Sequence, residues 1–195
     1  GLVKGASKGE GLGNQFLGNI RACDAVAHVV RCFRDDNVIH VHGDVNPLHD
    51  IGIIDTELIL KDVETVEKRI DTLQKKIRAN DKEAKEDAEI LEQLRNHLNN
   101  GNTARSFERD ERGAAAIKEC YLLTDKPVMY IANTDEEGVK NGNQYINDVK
   151  AHAEKEHALV VVICAKIEAE IAQLDDEDRA LFLSDLGMEE PGLDR

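Results

Sequence analysis

Val128-Met129-Tyr130-Ile131-Ala132 runs directly into Asn133-Thr134-Asp135-Glu136, so a short apolar stretch ends abruptly on four polar residues. Such a run reads as a buried strand, and a polar tetrad at the carboxyl end of a parallel strand is where open α/β sheets bind their ligands. Downstream, Tyr145 to Glu156 carries a helical pattern. Leu159-Val160-Val161-Val162-Ile163 then reads as another buried strand, ending on Cys164-Ala165-Lys166. Strand, helix, strand at this spacing predicts a parallel crossover. Upstream, the β-branched run Ala25 to Phe33 predicts a further strand, read as a central one, with His28 as a satisfied core histidine. The fold class expected is therefore α/β with a mainly parallel sheet.

A second pattern interrupts the sheet. From Asp55 the positions Ile59, Val63, Val66, Ile70, Leu73 and Ile77 step by four and three residues, which predicts a helix with a heptad seam. After the polar break at Arg78-Ala79-Asn80-Asp81-Lys82, Ala84, Ala88, Leu91, Leu94 and Leu98 resume the pattern, until Asn99-Asn100-Gly101-Asn102 stops it. Two seamed helices joined by a short break predict an antiparallel coiled-coil hairpin. The expected division is 1–54 for the first part of the sheet domain, 55–101 for the hairpin and 102–195 for the remainder. Within 102–195, a short helix through Ile117 and Tyr121 precedes the strand at Val128, and Asp175-Asp176 caps a helix with Leu181, Phe182 and Leu186 that Gly187 closes.

Composition narrows the function. The 195 residues carry 39 acidic against 25 basic side chains, a net charge of −14, which argues against a general affinity for nucleic-acid backbones. Lys68, Arg69, Lys75, Lys76 and Arg78 form a local basic cluster, read either as a solvated helix face or as a contact for a phosphate-rich partner. The four cysteines, Cys23, Cys32, Cys120 and Cys164, show neither a metal spacing nor a disulfide framework, which fits a reducing cytosol. No apolar run approaches the roughly 20 residues of a membrane helix.

Two further stretches carry possible chemistry. Gly1 to Gly13 holds five glycines with Ser7 and two lysines, a backbone able to point successive amides at an anion and to change order. The alternative is a flexible terminus. His40-Val41-His42-Gly43-Asp44-Val45-Asn46-Pro47-Leu48-His49-Asp50 could place His40 and His42 on one strand face, with His49 or Asp44 closing a metal site. A polar loop is the preferred reading, and no metal ligand set is assigned.

Gly1-Leu2-Val3, with Gly5-Ala6-Ser7-Lys8-Gly9-Glu10-Gly11-Leu12-Gly13-Asn14, resembles the segment after the Walker B aspartate of Obg-related P-loop NTPases, specifically the YchF/Obg-like ATPase family. Asn133-Thr134-Asp135-Glu136, Cys164-Ala165-Lys166, Leu174-Asp175-Asp176-Glu177 and Asp185-Leu186-Gly187 through Leu193 extend that likeness over almost the whole chain. His40, Val41, Gly43, Pro47 and Asp50 resemble the family's loop, whereas His42 and His49 depart from it, which favours the polar loop.

The resemblance implies a P-loop NTPase-type sheet with the hairpin as an insertion. Gly1 would contact the terminal phosphate, and Leu2 stands where Ras-like enzymes carry the glutamine that orients water, so no catalytic residue is assignable. Asn133 would bond the purine, Thr134 would add a backbone or methyl contact, Glu136 would turn away or meet adenine's amine, and Cys164, Ala165 and Lys166 would form a second base-side loop. The implied cofactors are ATP, or GTP, and magnesium whose ligands are expected upstream of Gly1. The implied partners are the ribosome or ribosomal RNA, the last through the basic cluster, in the cytoplasm and with no membrane. No Gly-Lys pair, and so no P-loop, occurs in the chain. The family's TGS domain is likewise missing downstream. Without P-loop amides and lysine and without magnesium ligands, nothing stabilises the transferring phosphoryl group, so the chain alone is expected not to hydrolyse ATP. The alternatives are a GTP-specific GTPase and a non-enzymatic coiled-coil interaction module.

Overall fold

The structure, a computed structural model, describes residues 13–35, 44–185 and 190–192, of which 13–15 by backbone alone. The glycine stretch through Leu12, together with His40, His42, Leu186 and Gly187, lies outside the described residues. Two compact units emerge, one drawn from Gly1–Val26 and Gly52–Pro127, the other from Ala27–Ile51 and Val128–Arg195.

The helical unit begins with α1 (Gly13–Ala22), whose Leu17 is buried in a cluster with Leu58 and Leu123. Helix α2 (Pro47–Ile77) starts eight residues before the Asp55 expected from periodicity. The reason is local: the Asn46 side chain accepts from the His49 amide at 3.1 Å, and Pro47 occupies the first helical position, where its missing N–H costs nothing. Helix α3 (Lys82–Asn99) follows a three-residue turn in which Asn80 has φ 63°, and Asp81 caps it by accepting from the Ala84 amide at 3.1 Å. Val66, Ile70 and Leu73 of α2 share one core with Ala84, Ala88, Leu91, Leu94 and Leu98 of α3, as the heptad spacing predicts.

That core has more contributors than the two seams. Ala104, at the start of a short 3-10 turn (Ala104–Ser106), joins it, as do Ile117 of α4 (Glu111–Lys118), Cys120 and Leu122. Residues 102–127, which the sequence reading joined to the later part of the chain, thus pack on the hairpin. Arg112 of α4 pairs with Asp87 of α3 at 2.7 Å, and Arg69 of α2 pairs with Glu119. Beneath them Asp62 is wholly buried, and its carboxylate accepts from the Leu123 amide, the Thr124 amide and the Thr124 hydroxyl, each at 2.7 Å.

The second unit holds the sheet, in the order β1 (Val26–Arg31), β2 (Val128–Asn133), β3 (Leu159–Ile163). Strands β2 and β3 are parallel, with Met129 opposite Leu159 and Asn133 opposite Ile163. Val26 donates to the Pro127 carbonyl and Cys32 to that of Asn133, six residues on along both chains, so β1 also runs parallel to β2. Among the described residues β1 lies at the edge of this three-stranded sheet, and Ala27 and Val29 are exposed, Val29 by 60%. His28 is half-buried and tilts against the Tyr130 ring, 5.7 Å between centroids. One face of β2, Tyr130 and Ala132, packs with Val30 and Cys32 against Ile146, Val149 and Ala153 of α6 (Gln144–Lys155). A smaller cluster joins Cys164, Ile167 and Ile171 of α7 (Ala165–Ile171) and its N-cap to Leu183 of α8 (Asp176–Asp185).

Candidate functional site

Because the strands are parallel, their carboxyl ends open on the same side, and the polar residues after β2 and β3 meet there. Asn133 is the last residue of β2 and Cys164 immediately precedes α7. The Asn133 Oδ1 accepts from the Ala165 amide at 2.9 Å, and the Thr134 amide donates to the Ile163 carbonyl at 2.8 Å. These two bonds join the two loops. With Oδ1 so engaged, Asn133 retains its Nδ2 donors. Ala165 and Lys166 are both exposed, as is Glu136.

The tetrad is held from below. Thr134 is 2% exposed, and its hydroxyl donates to the Cys32 carbonyl at 3.0 Å while accepting from Asn143 Nδ2 at 3.1 Å. Asn143 Nδ2 also donates to the Cys32 carbonyl, at 2.8 Å. Thr134 is therefore turned inward, and its role is to fix the ends of β1 and β2. Asp135 caps α5 (Glu136–Asn141), its carboxylate accepting from the Gly138 amide at 2.7 Å. A Cβ at Gly138 would lie 2.0 Å from the Thr134 hydroxyl, so the turn closes only on glycine. Glu136 extends from the first turn of α5 and pairs with Lys140 at 3.0 Å.

Several sequence-derived candidates are not brought together. Gly1, Leu2, His40 and His42 lie outside the described residues; His49 and Asp44 are exposed, His49 in the first turn of α2. Sequence reasoning missed Asn143, although Asn143-Gln144 ahead of an apolar periodic run is a helix N-terminus signal, and its Oδ1 does accept from the Ile146 amide at 2.9 Å. It also missed Cys32, whose carbonyl anchors both Thr134 and Asn143. Burial, with the Asp148 charge adding to it, pushes the Cys32 thiol up to about 12, and burial pushes that of Cys120 to about 11. Neither thiol is a thiolate at neutral pH.

The "Ribosome-binding ATPase YchF" of Escherichia coli O157:H7 is 52% identical to this chain over 195 residues, covering all of the chain and 53% of that protein. That of Bacillus subtilis strain 168 is 49% identical over 197 residues, again covering the whole chain and 54% of the relative. This chain belongs to the YchF family of Obg-related P-loop NTPases. Among solved structures, that of the Schizosaccharomyces pombe YchF GTPase superposes with a TM-score of 0.80 at 32% identity, covering 96% of this chain and 52% of that one. No family model matches the sequence. The chain spans about half the length of the curated relatives it matches. The α/β architecture with a parallel sheet is thus that of a YchF protein, and no helix among the described residues is long and apolar enough to cross a membrane.

Proposed function

We propose that this chain is the base-binding and partner-binding portion of a ribosome-associated protein that hydrolyses ATP, with GTP as its competitor. The observation that carries the nucleotide half is the bond from the Ala165 amide to Asn133 Oδ1. It joins two loops at the carboxyl ends of parallel strands and leaves the Asn133 Nδ2 donors for a base. Both purines present N7 as an acceptor, so Asn133 anchors either base. Discrimination then belongs to Glu136, an acceptor-only carboxylate that suits the amine of adenine and not the O6 of guanine. Thr134 acts by holding Asn133, and Cys164, Ala165 and Lys166 flank the base. The donor set fits a purine; in the same reading the terminal phosphate meets Gly1, and magnesium ligands with a phosphate cradle precede it. Magnesium would neutralise phosphoryl charge, while the residues of this chain bind and orient the base.

In the same reading the hairpin expected over 55–101 is the partner-binding part, with residues 102–127 packed on its core. Lys75, Lys76, Arg78 and Lys82 are exposed at the hairpin turn and make no ion pair among the described residues. Two nearby acids are engaged elsewhere, Asp81 capping α3 and Asp87 facing Arg112, which leaves Glu83 exposed beside four cations. Lysines at the end of α2 suit the helix dipole, but Lys82 in the first turn of α3 opposes it, so helix stability does not account for it. A cationic turn on a chain of net charge −14 fits the phosphate backbone of ribosomal RNA.

The test uses the full-length protein carrying this chain. Asn133→Ala should weaken ATP and GTP together in competition binding, and Glu136→Gln should narrow the preference between them. Replacing the four turn cations by glutamine should lower ribosome co-sedimentation and reduce the slope of log affinity against log salt by about 0.9 for each lost phosphate contact. Unchanged purine binding in Asn133→Ala sinks the site; an unchanged salt slope sinks the hairpin contact.

A further inference from the structure

The segment Glu190-Pro191-Gly192 reaches the nucleotide loops from behind. The Gly192 amide donates to Glu168 Oε1 at 2.8 Å in a buried bond, and Glu168, on α7, is itself 7% exposed. A Cβ at position 192 would lie 2.7 Å from Ile163 Cγ2 and 2.8 Å from Glu168 Oε1. Real Cβ contacts are essentially never so short, so any side chain at 192 must displace one of these residues. Ile163 is the last residue of β3, and its carbonyl accepts the Thr134 amide. Glu168 lies one helical turn beyond Cys164, whose carbonyl accepts the Glu168 amide at 3.0 Å. Both neighbours of Gly192 therefore lie one bonded step from the pair that joins the loops, Thr134 to Ile163 and Asn133 to Ala165.

We propose that Gly192, clamped by Glu168, is a positioning residue for the purine site. The inference rests on the base-side reading of Asn133–Glu136 and Cys164–Lys166 given above. The clamp needs an acceptor oxygen at 168 and no Cβ at 192. A carboxylate buried to this degree requires a donor, and the glycine amide supplies one. When the segment is seated, β3 and the start of α7 are held where Ala165 can reach Asn133; when it is lifted, the Glu168 acceptor loses its partner and the loop joint loosens. The seating of 190–192 thereby sets affinity for the base and leaves the phosphate end of a nucleotide untouched.

Isothermal titration of the full-length protein with ATP and, separately, with tripolyphosphate tests this. Gly192→Ala should weaken ATP by about ten-fold, the loss of roughly one well-placed hydrogen bond, with tripolyphosphate binding unchanged. Glu168→Ala should behave like Gly192→Ala, whereas Glu168→Gln keeps an acceptor oxygen and should restore ATP affinity. A Gly192→Ala variant that binds ATP as the wild type does overturns the clamp, as does one that loses ATP and tripolyphosphate in equal measure, which marks a general effect on folding. Wild-type protein that binds tripolyphosphate but no purine preferentially refutes the site reading itself, and the clamp with it.

Discussion

Replacing Asp62 should be the most damaging single change in the helical unit, and its pH dependence discriminates between two physical accounts. The carboxylate is fully buried and accepts three hydrogen bonds of 2.7 Å from Leu123 and Thr124. Thr124 in turn accepts from the Ala104 amide at 2.9 Å, so the loss spreads to the 3-10 turn. Asp62→Ala strands two buried amides at about 1–3 kcal/mol each, partly offset by removing a buried charge, for a net loss of about 3–5 kcal/mol. In a domain stable by about 5–15 kcal/mol this lowers the urea midpoint severely. Burial raises the Asp62 pKa above 3.8, outweighing the hydrogen bonds and the Arg21 charge that lower it. A raised folded-state pKa means the fold binds that proton more tightly than the unfolded chain does. The associated stability is fully present below the unfolded value and is lost as pH rises through the folded one. Asp62→Asn cannot titrate and keeps an acceptor for Thr124 while presenting a donor to the Leu123 amide. The wild-type advantage over Asp62→Asn, measured by urea unfolding from about pH 4 to pH 7, should therefore shrink as pH rises. An advantage that grows with pH refutes the reasoning, because it requires the three donors to outweigh burial.

Gly138→Ala should cost about 1–3 kcal/mol, since the new Cβ at 2.0 Å forces the Thr134 hydroxyl off the Cys32 carbonyl; a melting temperature within about 1 °C of wild type refutes the packing, at about 2–4 °C per kcal/mol for a chain of this size. Iodoacetamide at about pH 8 should alkylate exposed Cys23 and spare Cys32, of which only about 10⁻⁴ is ionised at that pH, until urea opens the sheet unit; mass spectrometry of the labelled peptides reads the order.

What the sequence made legible follows from which physical terms leave a pattern. The heptad seam was read correctly because apolar periodicity reports burial of a face, and a face is buried whatever covers it, whereas Leu159–Ile163 is the expected strand with Leu159 exposed and only Ile163 buried. The same logic found the strand within Ala25–Phe33 without fixing its place in the sheet. An apolar run identifies a strand, but Ala27 and Val29 show that exposed apolar residues are ordinary, so a run alone does not put its strand in the middle of a sheet. The start of α2 was readable in Asn46-Pro47, a cap and first-turn pair, yet the histidines around it drew the reading toward a loop. That α4 completes the hairpin core was not readable, since Ala116 and Ile117 form too short a stripe to show what they pack against.

At the candidate site the tetrad was legible as a polar strand end, but the division of labour inside it was not. Thr134 occupies the position where Ras-like enzymes have a lysine over the base, and the family resemblance implied a backbone or methyl contact there, leaving the hydroxyl unassigned. That hydroxyl donates to the Cys32 carbonyl, a group that no side-chain pattern displays. The consequence reaches specificity. On the proposed reading, with Thr134 turned inward and Asn133 Oδ1 held by Ala165, the side chains that meet a purine are Asn133, through Nδ2, and Glu136. The first does not distinguish adenine from guanine at N7, so the proposed site leaves the choice of nucleotide to Glu136, which pairs with Lys140 at 3.0 Å in α5. Exposed ion pairs of this kind are worth at most about 1 kcal/mol, so Glu136 is free to leave Lys140 for a base amine at little cost. A preference governed by one solvent-exposed carboxylate should be modest, within about two orders of magnitude, and should fall as salt rises, whereas a buried aspartate reading two guanine donors would give a large and salt-insensitive one.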